Sequence, residues 1–210
     1  MKTFFPLVLC LLLAAPLAEA QTAAALPVAA AASPAPAPAS ARRYLTNSGQ
    51  VTFFSSAPLE DIEALNREVS AVFELNSGKL AFSIPMRSFQ FINPLMQEHF
   101  NENYAESDKY PRSRFSGTLL RVPTEEELRQ GPQNVEVQGE LNIHGVTRKV
   151  KVPGIMYLRG NELVVTSKFA VETADYKIRI PALVRDNIAK TIDVSIVLAC
   201  PPAPAATASR

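Results

Sequence analysis

Val135-Glu136-Val137-Gln138-Gly139-Glu140-Leu141-Asn142-Ile143 is the stretch whose reading decides the fold. Its odd positions are apolar or glycine and its even positions are polar or charged. An extended chain with that pattern puts one face in a core and the other in water. Beyond His144-Gly145-Val146-Thr147, Val150 and Val152 alternate in the same way with Lys149 and Lys151. Two such strands joined by a tight connection form an antiparallel hairpin. The same period runs outward in both directions. Val51, Phe53 and Ser55 share a face, as do Ala71, Phe73 and Leu75, and then Leu80, Phe82, Ile84 and Met86. Later come Leu163, Val165, Ser167 and Phe169, and finally Ile192, Val194, Ile196 and Leu198. With residues 115–122 the total is about eight strands, a usual number for one sheet. Asn76-Ser77-Gly78 and Arg159-Gly160-Asn161 supply turn residues that tolerate positive φ.

Three segments break the period. Leu59, Ile62 and Leu65 stand at helical spacing and predict a short helix over residues 59–66. Residues 94–104 place Leu95, Met96, His99, Phe100 and Asn103 on one side of a second helix, with Asn93 as its cap. Between them the inward parity slips from Leu80, Phe82, Ile84 and Met86 to Phe89 and Phe91. A bulge near Arg87-Ser88, aided by Pro85, is the expected cause, with Phe89 and Phe91 near a rim beneath the helix. Glu125-Glu126-Glu127 after Pro123-Thr124 reads as a solvated helical turn capped by Thr124. The class is therefore all-β with one or two short helices. Half-apolar strands must hide their edges by closing into a barrel or stacking as a sandwich. An eight-stranded barrel has an interior that side chains fill or that holds one small ligand.

Composition sharpens the domain limits. The chain has 210 residues, 21 Lys+Arg, 20 Asp+Glu and 17 Pro. Before residue 42 only Lys2 and Glu19 are charged, and after residue 199 only Arg210 is. Residues 42–199 thus hold 19 charges of each sign and eight of the prolines. That balance argues against a polyanion partner such as nucleic acid. Residues 1–20 read as a signal peptide, with Lys2, an apolar run from Phe4 to Leu13 and Ala18-Glu19-Ala20 as the cleavage site. That run is too short for a transmembrane helix. Residues 21–41 form an Ala/Pro-rich linker and residues 200–210 a disordered tail. The expected location is the periplasm, with an extracellular destination as the alternative. Cys10 leaves with the signal, so Cys200 remains without an intrachain partner.

Chemistry is sparse. The sequence has no G-x-S-x-G elbow, no Gly-rich phosphate loop and two histidines in all. His99 with Glu98, Glu102 and Glu106 is the best metal candidate, although a lone helical histidine is more often a packing residue. His144 is expected as an exposed turn residue, the functional alternative being a pH sensor. No catalytic residue, metal or cofactor is assigned. Phe82, Phe89, Phe91, Phe100, Phe115 and Phe169 suit either a filled core or a lined cavity, since both need apolar walls.

Two blocks carry a family resemblance. Met96-Gln97-Glu98-His99-Phe100, followed by Asp108-Lys109-Tyr110-Pro111-Arg112-Ser113-Arg114-Phe115, resembles the helix, acidic turn and strand of the YceI-like family. Val137-Gln138-Gly139-Glu140-Leu141-Asn142-Ile143-His144-Gly145-Val146-Thr147-Arg148-Lys149-Val150 is similar to that family's hairpin. The resemblance implies a lipocalin-like antiparallel barrel with an apolar cavity for an isoprenoid, quinone-like or fatty-acyl chain. The implied role is carrier, store or stress-related sensor rather than enzyme. Candidate cavity residues are Phe73, Phe82, Ile84, Phe89, Phe91, Leu95, Met96, Phe100, Phe115, Leu141, Ile143, Val165, Phe169 and Ile196. The sequence departs from the family at Thr173-Ala174-Asp175-Tyr176-Lys177 and at Ile178-Arg179-Ile180-Pro181-Ala182-Leu183-Val184, which bear on the mouth of any cavity. A filled barrel serving as an interaction module for envelope proteins is the alternative, and a metal-dependent enzyme at the His99 helix the remote one. The chain is expected as a monomer or dimer.

Overall fold

β1 (Arg43–Ser56) pairs antiparallel with β2 (Asp61–Glu74) through almost its whole length, from Arg43↔Glu74 to Ser56↔Asp61. This is a computed structural model that describes residues 42–204. The proposed signal peptide, the linker and residues 205–210 lie outside the described residues. The order continues with β3 (Lys79–Pro85), β4 (Gln90–Phe91), α1 (Pro94–His99), β5 (Arg112–Leu119), α2 (Glu125–Gln130), β6 (Gln133–Ile143), β7 (Val146–Arg159), β8 (Glu162–Glu172) and β9 (Thr191–Cys200). Strand neighbours run β1-β9-β8-β7-β6-β5-β3-β2, and β2 returns to β1, so eight strands close into a barrel. The ninth, β4, is two residues long and pairs only with β2.

The period-two faces point as the alternation requires. Phe73, Leu80, Leu141, Val165 and Leu198 are buried, while Lys151, Lys168 and Glu140 on the opposite parity are exposed. The two poles of the barrel differ. At one pole Leu75, Leu128, Met156, Leu163, Leu198 and Cys200 are fully buried and fill the interior. α2 plugs this pole with Leu128, and its Thr124–Glu127 capping box satisfies the amides of its first turn. At the other pole the inward side chains are only partly buried, because they line open space.

Three expectations are corrected. Residues 59–66 are not helical: Leu59 is exposed in the turn between β1 and β2, and Asp61 onward is strand. The helical spacing there is coincidental, because Ala64 and Asn66 are the buried positions and they alternate as a strand does. The parity slip at Arg87-Ser88 is a 3-10 turn over Met86–Ser88 rather than a bulge. Buried Asn66 pins that corner, donating to the Pro85 carbonyl at 2.7 Å and accepting from the Glu68 amide at 2.8 Å. Finally, Cys200 belongs to β9 rather than to the tail, and pairing continues as the Leu45 amide donates to the Pro201 carbonyl at 3.1 Å.

Gly139 faces Gly117 across β5 and β6, and the Phe115 ring lies over both. A Cβ on Gly139 would sit 2.3 Å from the Ser116 carbonyl oxygen and 2.7 Å from the Phe115 ring. Gly139→Ala is therefore expected to cost about 1–3 kcal/mol, the usual range for overpacking, as read by chemical denaturation. Burial pushes the Cys200 thiol up to about 12. An unfolded thiol ionises near 8.5, so this contribution to stability is complete below about pH 8.5 and declines as pH climbs toward the folded value. Alkylation of the folded protein at pH 8 is expected to leave Cys200 untouched, with full labelling only in denaturant.

Candidate functional site

The open pole encloses a cavity of about 580 Å³. Its walls come from the inward faces of the strands, its roof from α1 and the turn after it, and one side from the segment 177–190. All fourteen candidate residues line it: Phe73, Phe82, Ile84, Phe89, Phe91, Leu95, Met96, Phe100, Phe115, Leu141, Ile143, Val165, Phe169 and Ile196. The structure thus brings them to one space, whatever occupies it.

The roof is held by aromatic packing. Asn93 caps α1 by accepting from the Leu95 amide at 2.9 Å, and Pro94 occupies the first turn. The helix then widens into a π turn over Phe100–Tyr104, where the Ala105 amide reaches the Phe100 carbonyl at 2.7 Å. That extra residue turns Tyr104, rather than the expected Asn103, toward the cavity. Phe53 stands at the centre of the roof contacts, 5.3 Å from Phe89, 5.5 Å from Phe91 and 5.4 Å from Phe100, centroid to centroid. Phe100 also lies 5.6 Å from Phe89 and 5.1 Å from Phe91. Aromatic pairs of this kind contribute about 0.5–1.5 kcal/mol each beyond area burial, so the roof is firmly seated. A second line, Phe73–Phe82–Phe115 with spacings of 5.5 and 5.8 Å, covers the adjoining wall.

Polar groups at the cavity are few and mostly committed. Ser113 donates to the Met86 sulfur, Ser167 to the Pro153 carbonyl and Thr173 to the Lys190 carbonyl. Ser55 accepts from the Ala189 amide, and Asn187 donates to Glu60. Burial pushes the Tyr104 phenol above its ordinary range. The lining therefore favours apolar matter and offers little to a charge.

His144 overturns its expected place. Its side chain is only 11% exposed, it lines the cavity, and its ring centroid is 4.5 Å from that of Tyr110. Nε2 lies 2.6 Å from a Glu106 carboxylate oxygen and Nδ1 lies 3.1 Å from the Tyr176 carbonyl. These two contacts engage both ring nitrogens and fix the orientation of the imidazole. Glu106, His144 and Lys177, beside Tyr176, are the non-glycine residues with positive φ among those described. Such backbone is held only where surrounding contacts over-determine it. Gly145 completes the turn at φ +73, where a Cβ would meet the Tyr110 ring at 2.5 Å. Glu106 is thereby drawn to His144 and away from the His99 grouping proposed as a metal site. His99, Glu98 and Glu102 are exposed, and no set of three or more potential metal ligands converges among the described residues.

The candidate cavity residues do not include Phe53, His144 or Ile188, while Ile178, Ile180 and Val184, expected to bear on the mouth, form one side of the cavity. Phe53 carried a usable signal, since it shares its face with Val51 and Ser55. The other positions depend on long-range contacts that no local period announces.

A closed antiparallel barrel, packed at one pole and hollow at the other, is the architecture of barrels that can hold a small apolar ligand. Residues 45–200 match the YceI-like domain, and the chain belongs to the YceI-like family. Solved structures agree on the fold. A polyisoprenoid binding domain from Saccharophagus degradans, implicated in plant cell wall breakdown, aligns with a TM-score of 0.67 at 16% identity, covering 78% of this chain and 99% of that one. Burkholderia cenocepacia BcnA aligns with a TM-score of 0.61, also at 16% identity, covering 72% of this chain and 95% of that one. No curated protein matches the chain.

His144→Phe keeps a ring beside Tyr110 while removing both hydrogen bonds. We expect a loss of about 1 kcal/mol, since the Tyr176 carbonyl is left unpaired in a buried residue while the Glu106 carboxylate, 39% exposed, can turn to water. Hydrogen exchange should quicken at the amides of Lys109, Tyr110 and Ile178, which close the turns beside Glu106 and Tyr176.

Proposed function

We propose that this chain is an exported binding protein that shelters an apolar chain of the isoprenoid, quinone-like or fatty-acyl class, as a carrier or store. The observation that carries the reading is the hollow apolar pole, about 580 Å³, beneath a roof of four phenylalanines. Sequestering hydrocarbon from water contributes about 0.8 kcal/mol per methylene. Ten or so methylenes supply about 8 kcal/mol, the free energy of micromolar binding, with longer chains offsetting the cost of association. The likeness to a protein described as polyisoprenoid binding favours the isoprenoid member of the class. Export rests on Lys2, the apolar run after it and Ala18-Glu19-Ala20, which place the protein in the periplasm under this reading. The hollow interior favours this reading over an interaction module with a filled barrel.

Native mass spectrometry and organic extraction of the purified protein are expected to show an apolar molecule bound one to one. Val194→Trp, which pushes an indole into the cavity from β9, is expected to weaken binding at least about 10-fold with the circular dichroism of the barrel unchanged. Tight binding of a charged, hydrophilic ligand with no affinity for hydrocarbon would sink the proposal.

A further inference from the structure

The barrel wall has a window. β7 pairs with β6 from Val146 to Met156, and β8 pairs with β9 from Leu163 to Glu172. β7 and β8 themselves pair only between Ile155–Arg159 and Glu162–Thr166. Above that point, residues 146–154 of β7 and 167–172 of β8 face each other without ladder bonds. The parting begins at Pro153, which has no amide hydrogen to give, and the Ser167 hydroxyl takes over the Pro153 carbonyl at 2.6 Å. It ends where Arg148 pairs with Asp175 and His144 meets the Tyr176 carbonyl. The gap is thus framed at both ends, unlike a frayed edge.

The window adjoins the cavity. Leu141, Val152, Phe169 and Val171 line both the cavity and the gap, whose outer side carries Lys149, Lys151 and Glu172. The gap is an open depression on the outer surface of the wall. Two other interruptions are filled: where β2 passes from β3 to β4 by the buried Asn66 side chain, and where β1 and β9 part between Gln50↔Val197 and the Leu45–Pro201 bond by buried Leu198, which packs against Gly49. In the β7–β8 gap the Ser167 hydroxyl bridges only the Pro153 end, and no side-chain hydrogen bond crosses the stretch between it and the Arg148–Asp175 pair.

We propose that the β7–β8 window is the passage through which an apolar chain enters and leaves the cavity. The proposal rests on the apolar-chain reading of the cavity. Two routes compete, and their costs decide between them. Entry at the roof requires lifting α1 from Phe53 and Phe89, or moving the segment 177–190, which is bonded through Asp186, Asn187, Ala189 and Lys190. Entry at the window requires that the Arg148–Asp175 pair and the side chains of the inner lip swing aside, with no helix or bonded segment displaced. Both of those side chains are about half exposed, at 44% and 48%, where an ion pair contributes little. Apolar residues on the inner lip then meet the chain as it arrives.

The test places a bulky group at each route. Lys151→Cys on the outer lip and Leu183→Cys on the segment 177–190 are labelled separately with a large maleimide, the native Cys200 being buried. Uptake of retinol, a fluorescent isoprenoid alcohol, is followed by stopped flow. We expect label on Lys151→Cys to slow uptake at least about 10-fold, about a kcal/mol and a half of barrier, with final affinity unchanged. Unlabelled Lys151→Cys and labelled Leu183→Cys should load at the wild-type rate, and Arg148→Ala faster. Wild-type loading of labelled Lys151→Cys overturns the proposal, as does slowing confined to labelled Leu183→Cys. If the unmodified protein takes up neither retinol nor a longer polyprenol at equilibrium, the apolar-chain reading itself fails and the passage with it.

Discussion

β1 hydrogen-bonds to β2 along one edge and to β9 along the other, through Gln50–Phe54 against Asp193–Val197, and that double pairing makes a sheet into a wall. Once the wall is closed, every inward position competes for the same interior, and unpaired edge is confined to short stretches such as the parting of β7 and β8. An eight-stranded circumference then sets the bore, and side-chain volume decides how much of it is filled. Leu75, Met156, Leu158, Leu163 and Leu198 fill one pole. Toward the other pole the rings and branched side chains are pressed against the walls, and Gly117 with Gly139 lets Phe115 lie flat. The hollow is therefore a property of where volume was spent along each strand.

The roof solves a problem that closure creates. An apolar bore that opened directly to water would expose a large hydrophobic surface. α1 cannot be stable alone, because six residues make little more than one turn. It is held by the cap at Asn93 and by the contacts of Phe100, and it lies where the 3-10 turn at Met86–Ser88 directs the chain. Beside it, the His144–Glu106 and His144–Tyr176 bonds join three separate connections at the same pole. Roof and connections are mutually supporting: local signals at Asn93 and Pro94 start the helix, but its seat depends on contacts with distant segments.

Much of this was legible in the residues. Alternation assigned the inward face correctly on β1, β3, β6, β8 and β9, and the fourteen candidate residues share one cavity. A period of two reports a physical fact, water on one side and hydrocarbon on the other, so it survives without knowledge of partners. Residues 59–66 misled because three apolar residues at helical spacing carry the same weight whether or not they are buried, and Leu59 is not. His144 misled because a turn position says nothing about which distant carboxylate will meet it. The β7–β8 gap was invisible for a related reason: Val150, Val152, Phe169 and Val171 alternate as paired strands do, and pairing is a relation between segments.

The chain enters and leaves the described domain side by side. The Ala203 amide donates to the Arg43 carbonyl at 2.7 Å, and the Leu75 amide donates to that of Arg42, so both ends emerge at the packed pole. The cavity, its roof and the Arg148–Asp175 pair lie toward the opposite pole. Both points of attachment therefore lie at the solid base, and a short tether fused directly at Arg42 or Pro204 would start from the side of the barrel farthest from the hollow.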